Sequence, residues 1–231
     1  PSTPVPYWQL ATALLLSLAW IVALRMEKRV YGWTVAIAGV WLLLAAWEAT
    51  YWTIPKPRPA PQRSVTIVGD SVTAGMGGPI EVTWPRLLAA QHSLQVQDLS
   101  GSGFTTSQDL ARAEYEGVAA PLVLVKIGGN DMLGGRTARE YRRDLDALLN
   151  FLTQDDRQVI MLELPLIPFY GKYGRVQRAL AHEYDVLLVP KRVFLDIIAP
   201  EENTVDTIHL TNEGHRAMAD AMWRVVSPAF E

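Results

Sequence analysis

Three short stretches carry residue types that together can break an acyl bond. Ser71 stands in Gly69-Asp70-Ser71, Asn130 in Gly128-Gly129-Asn130-Asp131, and His209 in Asp206-Thr207-Ile208-His209. A serine hydroxyl is a weak nucleophile until a base takes its proton. Histidine is the usual base, because its ordinary pKa lies near the operating pH. A carboxylate on the far ring nitrogen fixes the tautomer and stabilises the imidazolium. The chain has four histidines. Only His209 has an aspartate three residues before it in an expected loop, so one turn can aim Asp206 and His209 at a common point. His215 falls inside an expected helix, and His92 and His182 fall near helix ends. Those three read as structural or surface residues.

A tetrahedral intermediate also needs donors for its oxyanion. The backbone N–H of Ser71 is one and the side-chain amide of Asn130 is another. Gly101-Ser102-Gly103 can present a backbone N–H without side-chain obstruction, and either glycine fits a tight turn there. Losing one such donor typically costs ~100- to 1000-fold in rate. Each stretch alone is a weak signal: Gly-Asp-Ser can be a turn, Gly-Gly-Asn-Asp a loop, and Asp-x-x-His a helix cap. Their placement strengthens them, because each follows a different strand end or the final loop and supplies a different part.

The elements that must hold these residues alternate between strand and helix. Strands are expected at 65–68, 93–99, 122–127, 158–164 and 186–189. Helices are expected at 84–92, 106–116, 137–153, 173–184 and 213–226. Leu145, Leu148, Leu149 and Leu152 recur at helical spacing and predict packing on a sheet, with Arg139, Glu140, Arg142 and Arg143 on the solvated side. This alternation predicts parallel crossovers and a three-layer α/β/α sandwich. The expected sheet is five-stranded, parallel and flavodoxin-like, with ligands at the carboxyl ends of its strands.

On these residues the sequence resembles the SGNH, or GDSL-type, hydrolase family. The first block of that family matches Gly69-Asp70-Ser71, and the resemblance implies a catalytic serine at Ser71. The second matches Ser100 to Thr106, with the oxyanion glycine on Gly103. The third matches Gly128-Gly129-Asn130-Asp131, with Asn130 as oxyanion donor. The fifth matches Asp206-Thr207-Ile208-His209, continued by Leu210 to His215. The four blocks run in order across residues 64–231. The lack of large insertions is similar to the small bacterial branch that contains acyl-CoA thioesterase I/lysophospholipase L1 and arylesterases. The nucleophile signature G-x-S-x-G of the common α/β-hydrolases is absent at Ser71. Asp70 and Asp131 read as structural partners of the loops holding Ser71 and Asn130. A divalent-metal site built from them is the alternative, but it would want more histidine or carboxylate ligands close by. Neither a metal nor a cofactor is expected.

The chain has 231 residues and no cysteine, so disulfide and thiolate chemistry are excluded. Six of its eight tryptophans fall in the first 52 residues. Residues 1–61 carry a net charge of +3 and the remainder −6. An acidic remainder argues against a nucleic-acid partner, whose phosphates demand basic surface. Tyr7 to Leu24 and Trp33 to Trp52 are apolar runs of 18 and 20 residues. The shorter spans about 27 Å as a helix, close to the ~30 Å hydrocarbon core of a bilayer. Tyr7, Trp8, Tyr31, Trp33, Tyr51 and Trp52 flank the runs as interfacial aromatics do. A buried helical hairpin is disfavoured because soluble helices keep a polar face. A cleaved signal peptide is disfavoured because the first run is long, lacks a basic lead-in and is followed by a second.

The expected organisation is therefore a transmembrane hairpin over residues 1–53, a proline-rich linker over 54–63 and a hydrolase domain over 64–231. Arg25, Lys28 and Arg29 crowd the short interhelical loop, which points to a cytoplasmic loop and an extracytoplasmic enzyme at a bacterial inner membrane. The expected activity is that of a membrane-anchored serine esterase acting on acyl esters, with lipids or lysophospholipid-like molecules first among substrates. Envelope O-acetyl sugars, an acyltransferase and a non-catalytic binding module are the competing readings. The apolar stretch Pro165 to Gly171 reads equally as an acyl-pocket wall and as a loop packed on the core.

Overall fold

The computed structural model describes residues 5–26, 31–49, 52–165 and 170–231. The chain divides into two compact units, Pro1–Thr53 and Ile54–Glu231.

In the first unit, helices α1 (Tyr7–Arg25) and α2 (Tyr31–Ala49) each run 19 residues. Both are apolar on every side, and most of their residues are exposed; Ala13 is the one buried residue of α1, and α2 has none. Two side-chain hydrogen bonds join the helices. Trp20 Nε1 donates to Thr34 Oγ1 at 2.9 Å, and Trp41 Nε1 donates to Ser17 Oγ at 3.0 Å. Both helices are long and apolar enough to cross a membrane. The interhelical cations Lys28 and Arg29, and Tyr51 among the flanking aromatics, lie outside the described residues.

The second unit begins with its proline-rich stretch, extended as four prolines in eight residues require. This stretch lies along the unit instead of standing free of it. Arg58 N donates to Gln158 Oε1 at 2.7 Å, and Ala60 N to Ala229 O at 2.7 Å. The chain then runs through β1 (Ser64–Gly69), α3 (Ser71–Ala74), α4 (Trp84–His92), β2 (Gln95–Asp98) and α5 (Thr106–Glu116). It continues with β3 (Leu122–Lys126), α6 (Gly129–Leu133), α7 (Ala138–Leu152), β4 (Gln158–Leu162), α8 (Gly171–Glu183) and β5 (Leu187–Val189). It closes with α9 (Lys191–Ile198) and α10 (Asn212–Val226). All strand pairs are parallel, in the order β2-β1-β3-β4-β5, which is the flavodoxin-like order.

Strand side chains alternate between two faces, and here both faces are covered. Val65 and Ile67 of β1, with Leu122 and Leu124 of β3, face Trp84, Leu88, Met218 and Met222 on α4 and α10. Val68, Val123 and Val125 point the other way, into Tyr141, Leu145 and Leu149 of α7. The leucine stripe of α7 is wholly buried, as its spacing predicts. The helix starts on a capping box: Glu140 N donates to Thr137 Oγ1, and Glu140 Oε2 accepts from Thr137 N.

Three differences from the sequence reading bear on the site, the first being that Asn130 stands in the short helix α6 and not in a loop. The stretch after Gly69 is a short helix, not a loop, because the Asp70 side chain caps it by accepting Val72 N–H at 3.1 Å. The apolar spacing assigns no element between Val189 and Glu213, yet α9 lies there. Its Val193, Phe194 and Ile197 are buried, and Pro190 and Pro200 bound it. An eight-residue helix rich in branched side chains is hard to tell from a strand by periodicity.

Candidate active site

Every candidate residue lies at the carboxyl edge of the sheet. Ser71 follows β1, Gly103 follows β2 and Asn130 follows β3. The chain leaves β1 and β3 in opposite senses across the sheet, and such a switch point opens a crevice.

The structure brings Ser71, His209 and Asp206 together. Ser71 Oγ lies 3.0 Å from His209 Nε2, and His209 Nδ1 lies 2.6 Å from Asp206 Oδ2. With a carboxylate on Nδ1 the ring hydrogen sits there, and Nε2 is left to accept from the serine hydroxyl. Ser71 is buried, His209 is about a quarter exposed (25%) and Asp206 is half exposed. The turn that joins Asp206 to His209 is strained: Thr207, a β-branched residue, holds φ at 75°. That geometry lets Asp206 Oδ1 accept the N–H of Ile208 at 3.2 Å and of His209 at 2.9 Å. The bonds from the His209 backbone and ring hold the Asp206 carboxyl below its ordinary pKa, so it stays charged.

Asn130 sits in α6, whose start turns on Gly128 at φ 99°. A side chain at Gly128 would meet the Tyr141 hydroxyl at 2.6 Å and Leu164 Cδ1 at 2.9 Å, so only glycine serves there. Asn130 Nδ2 donates to Phe104 O at 2.8 Å, tying it to the turn after β2. Asp131 adds a second tie: its Oδ2 accepts the N–H and the hydroxyl of Thr106 at 2.9 and 2.8 Å. The two glycines of that turn differ. Gly101 N–H is spent on Gly69 O at 2.9 Å, and the Phe104 ring lies against Gly101. Gly103 holds φ at 77° with open space beside it, and neither its N–H nor that of Ser71 meets an acceptor among the described residues.

Beside Ser71 and His209 opens a pocket of about 310 Å³. Its walls are apolar: Met132 and Leu133 from α6, Leu164 after β4, and Phe194, Leu195 and Ile198 from α9. Leu133, Leu195 and Ile208 at the rim are exposed. Leu164 and Pro165 line this pocket, while Leu166 to Phe169 lie outside the described residues. A larger cleft of about 380 Å³ between α9 and α10 is lined by Arg192, Asp196, Asp220 and Arg224 and holds neither serine nor histidine.

The other histidines sit elsewhere. His92 stacks on Trp223 with ring centres 3.8 Å apart, His182 lies in the last turn of α8, and His215 is wholly buried in α10. Sequence reasoning missed Lys126 and the α9 walls. Lys126 was open to detection, being the one charge in a strand buried on both faces. The α9 walls gave a short signal, Val193, Phe194 and Ile197 at helical spacing between Pro190 and Pro200.

A parallel three-layer α/β unit with a hydroxyl, an imidazole and a carboxylate in series beside an apolar pocket is built for hydrolytic chemistry. Residues 67–217 match the GDSL-like Lipase/Acylhydrolase family. The chain is 30% identical over 166 residues to an arylesterase of Vibrio mimicus, spanning 67% of this chain and 83% of the relative. It is 29% identical over 180 residues to thioesterase 1/protease 1/lysophospholipase L1 of Escherichia coli strain K12, spanning 74% and 86%. The solved structure of TesA superposes with a TM-score of 0.63 at 26% identity, covering 72% of this chain and 99% of that one. The chain belongs to the GDSL-like lipase/acylhydrolase family and is an SGNH-type esterase.

Proposed function

We propose that this chain is a membrane-anchored serine esterase that cleaves acyl esters of lipids or lysophospholipid-like molecules through an acyl-enzyme. The observation that carries the reading is the 3.0 Å approach of Ser71 Oγ to His209 Nε2 at the mouth of an apolar pocket. Ser71 Oγ attacks the acyl carbonyl carbon as its proton passes to His209 Nε2. The carbonyl electron pair moves onto oxygen, which takes hydrogen bonds from Ser71 N–H, Gly103 N–H and the Asn130 amide. Asp206 orients the ring and stabilises the imidazolium. Collapse expels the alcohol or thiol, which takes the proton from His209. Water then attacks the acyl-enzyme by the same route in reverse. His209 is a quarter exposed, so water can reach it as the acyl acceptor.

The pocket supports acyl substrates, because its walls offer dispersion contacts and few hydrogen bonds. The relatives' names include lysophospholipase and thioesterase, which agrees with an acyl chain bound there. The helices α1 and α2, each about 28 Å long, support a bilayer anchor. The cations of the interhelical loop support an extracytoplasmic active site.

The test is hydrolysis of p-nitrophenyl esters from acetyl to palmitoyl by the detergent-solubilised chain and its Ser71→Ala variant. Activity that depends on Ser71 and favours long chains is expected. Activity retained in Ser71→Ala would sink the nucleophile, and a strict preference for acetyl would move the substrate to O-acetylated sugars. Because the chain has no cysteine, Lys56→Cys probed with an impermeant thiol reagent in intact cells reads the orientation; labelling is expected, and protection would reverse it.

A further inference from the structure

One charged side chain at this site has no part in the chemistry above. Lys126 ends β3, and its side chain is 6% exposed. Its Nζ lies 3.0 Å from both carboxylate oxygens of Asp70, which is itself 3% exposed. The same ammonium sits 4.9 Å from the centre of the Phe194 ring. Its backbone also takes part: Lys126 O accepts the Asp70 N–H at 3.3 Å. Both Lys126 and Phe194 line the pocket beside Ser71.

Burying an ion pair in this way is costly, and a well-packed apolar pair often does as well for stability. A stability role therefore explains the pair poorly. Its position explains it better. Asp70 caps the turn that begins with Ser71, and the turn has just four residues to hold its shape. A capping carboxylate free to change rotamer would let the Ser71 hydroxyl drift from His209. Lys126 grips both oxygens of that carboxylate and is sandwiched against α9 by Phe194.

We propose that Lys126 is a positioning residue for Ser71: it latches the Asp70 cap to the wall of the acyl pocket and so fixes the nucleophile. The proposal rests on Ser71 being the nucleophile. A displacement of about 1 Å at a reacting group can cost about 100-fold in rate. The latch acts on the chemical step, so kcat falls while KM stays.

The experiment uses the full chain in detergent, with active sites counted by a fluorescent fluorophosphonate and rates expressed per labelled site. Lys126→Met is expected to lose about 100-fold in kcat per site with KM within about twofold. Because that variant leaves Asp70 buried without a counter-ion, Asp70→Asn/Lys126→Met is made beside it. There neither charge of the pair remains, and the new amide oxygen can still accept the Val72 N–H as a cap. Without the latch its kcat per site is expected to stay at least tenfold below the parent. A parental kcat per site in the double variant would overturn the proposal. So would a loss carried by KM, or a loss that vanishes once labelled sites are counted. Labelling that fails in the parent, or survives in Ser71→Ala, would overturn the nucleophile assignment itself and the latch with it.

Discussion

His215 Nε2 lies 3.1 Å from Glu81 Oε1, while His215 Nδ1 accepts the backbone N–H of Trp84 at 3.2 Å. A backbone amide only donates, so Nδ1 carries no hydrogen and the ring is the neutral Nε2–H tautomer. Glu81 in turn accepts N–H bonds from Met76, Gly77 and Gly78. One buried ring on α10 thus holds both the turn that follows α3 and the start of α4. Burial lowers the His215 pKa, against the raising effect of Glu81.

Replacing that ring by an apolar side chain strands the buried Trp84 N–H and takes one donor from Glu81, which keeps its three backbone N–H bonds. His215→Leu is expected to lose about 1–3 kcal/mol of stability. Limited proteolysis should speed up within residues 76–82, and cleavage at the parental rate would show that the turn does not depend on the ring. The acid side is affected too. The folded-state pKa lies below the unfolded value of about 6.5, so the unfolded chain takes up its proton first as pH falls. The parent therefore loses stability below about pH 6.5, and the variant lacks that part of the slope.

Asp109 gives the opposite slope. It is wholly buried in α5, and neither carboxylate oxygen has a hydrogen-bond partner among the described residues. Burial, followed by the charges of Asp70 and Asp131, pushes its pKa up to about 8, with Lys126 opposing. Between about pH 4 and about pH 8 the folded state keeps a proton that the unfolded state has released, so stability declines as pH rises. Asp109→Asn cannot titrate. Its melting temperature should fall less than the parent's between about pH 5 and pH 8, and parallel slopes would mean that Asp109 is already ionised.

The two glycines after β2 separate by experiment. Gly103→Ala places a Cβ at positive φ in open space, so about 1–2 kcal/mol of backbone strain is expected, with the N–H displaced. Its kcat should fall by far more than its stability suggests. Gly101→Ala drives a methyl into the Phe104 ring and should act chiefly on stability. A kinetic loss confined to Gly101→Ala would move the oxyanion donor to that residue.

The sheet was legible because β1, β3, β4 and β5 are short apolar runs and its long helices carry clear stripes. Leu145, Leu148, Leu149 and Leu152 fix the buried face of α7 by spacing alone. The approach of Ser71 to His209 across 138 positions was legible through the required parts of the chemistry and the order of the family's blocks, since no local pattern joins them. What stayed hidden depends on tertiary packing. Lys126 meets Asp70 because Gly69 and Lys126 lie side by side in the sheet register, which the sequence does not display. Phe194, Leu195 and Ile198 reach the pocket because α9, amphipathic but only eight residues long, folds back over the strand ends.

Those hidden walls decide what the pocket admits. Leu195 lines it from α9 and is 41% exposed, so a larger side chain has room to turn inward without disturbing the core. Leu195→Trp should narrow the space open to an acyl chain while leaving Ser71, His209 and Asp206 in place. Hydrolysis of p-nitrophenyl acetate is then expected to stay within about twofold, and hydrolysis of the palmitoyl ester to fall about tenfold or more. The size of that loss follows from one or two methylene contacts, at about 1–3 kcal/mol in an apolar pocket. Equal losses on both esters would mean that Leu195 acts on the nucleophile, and no loss on either would place the acyl chain outside this pocket.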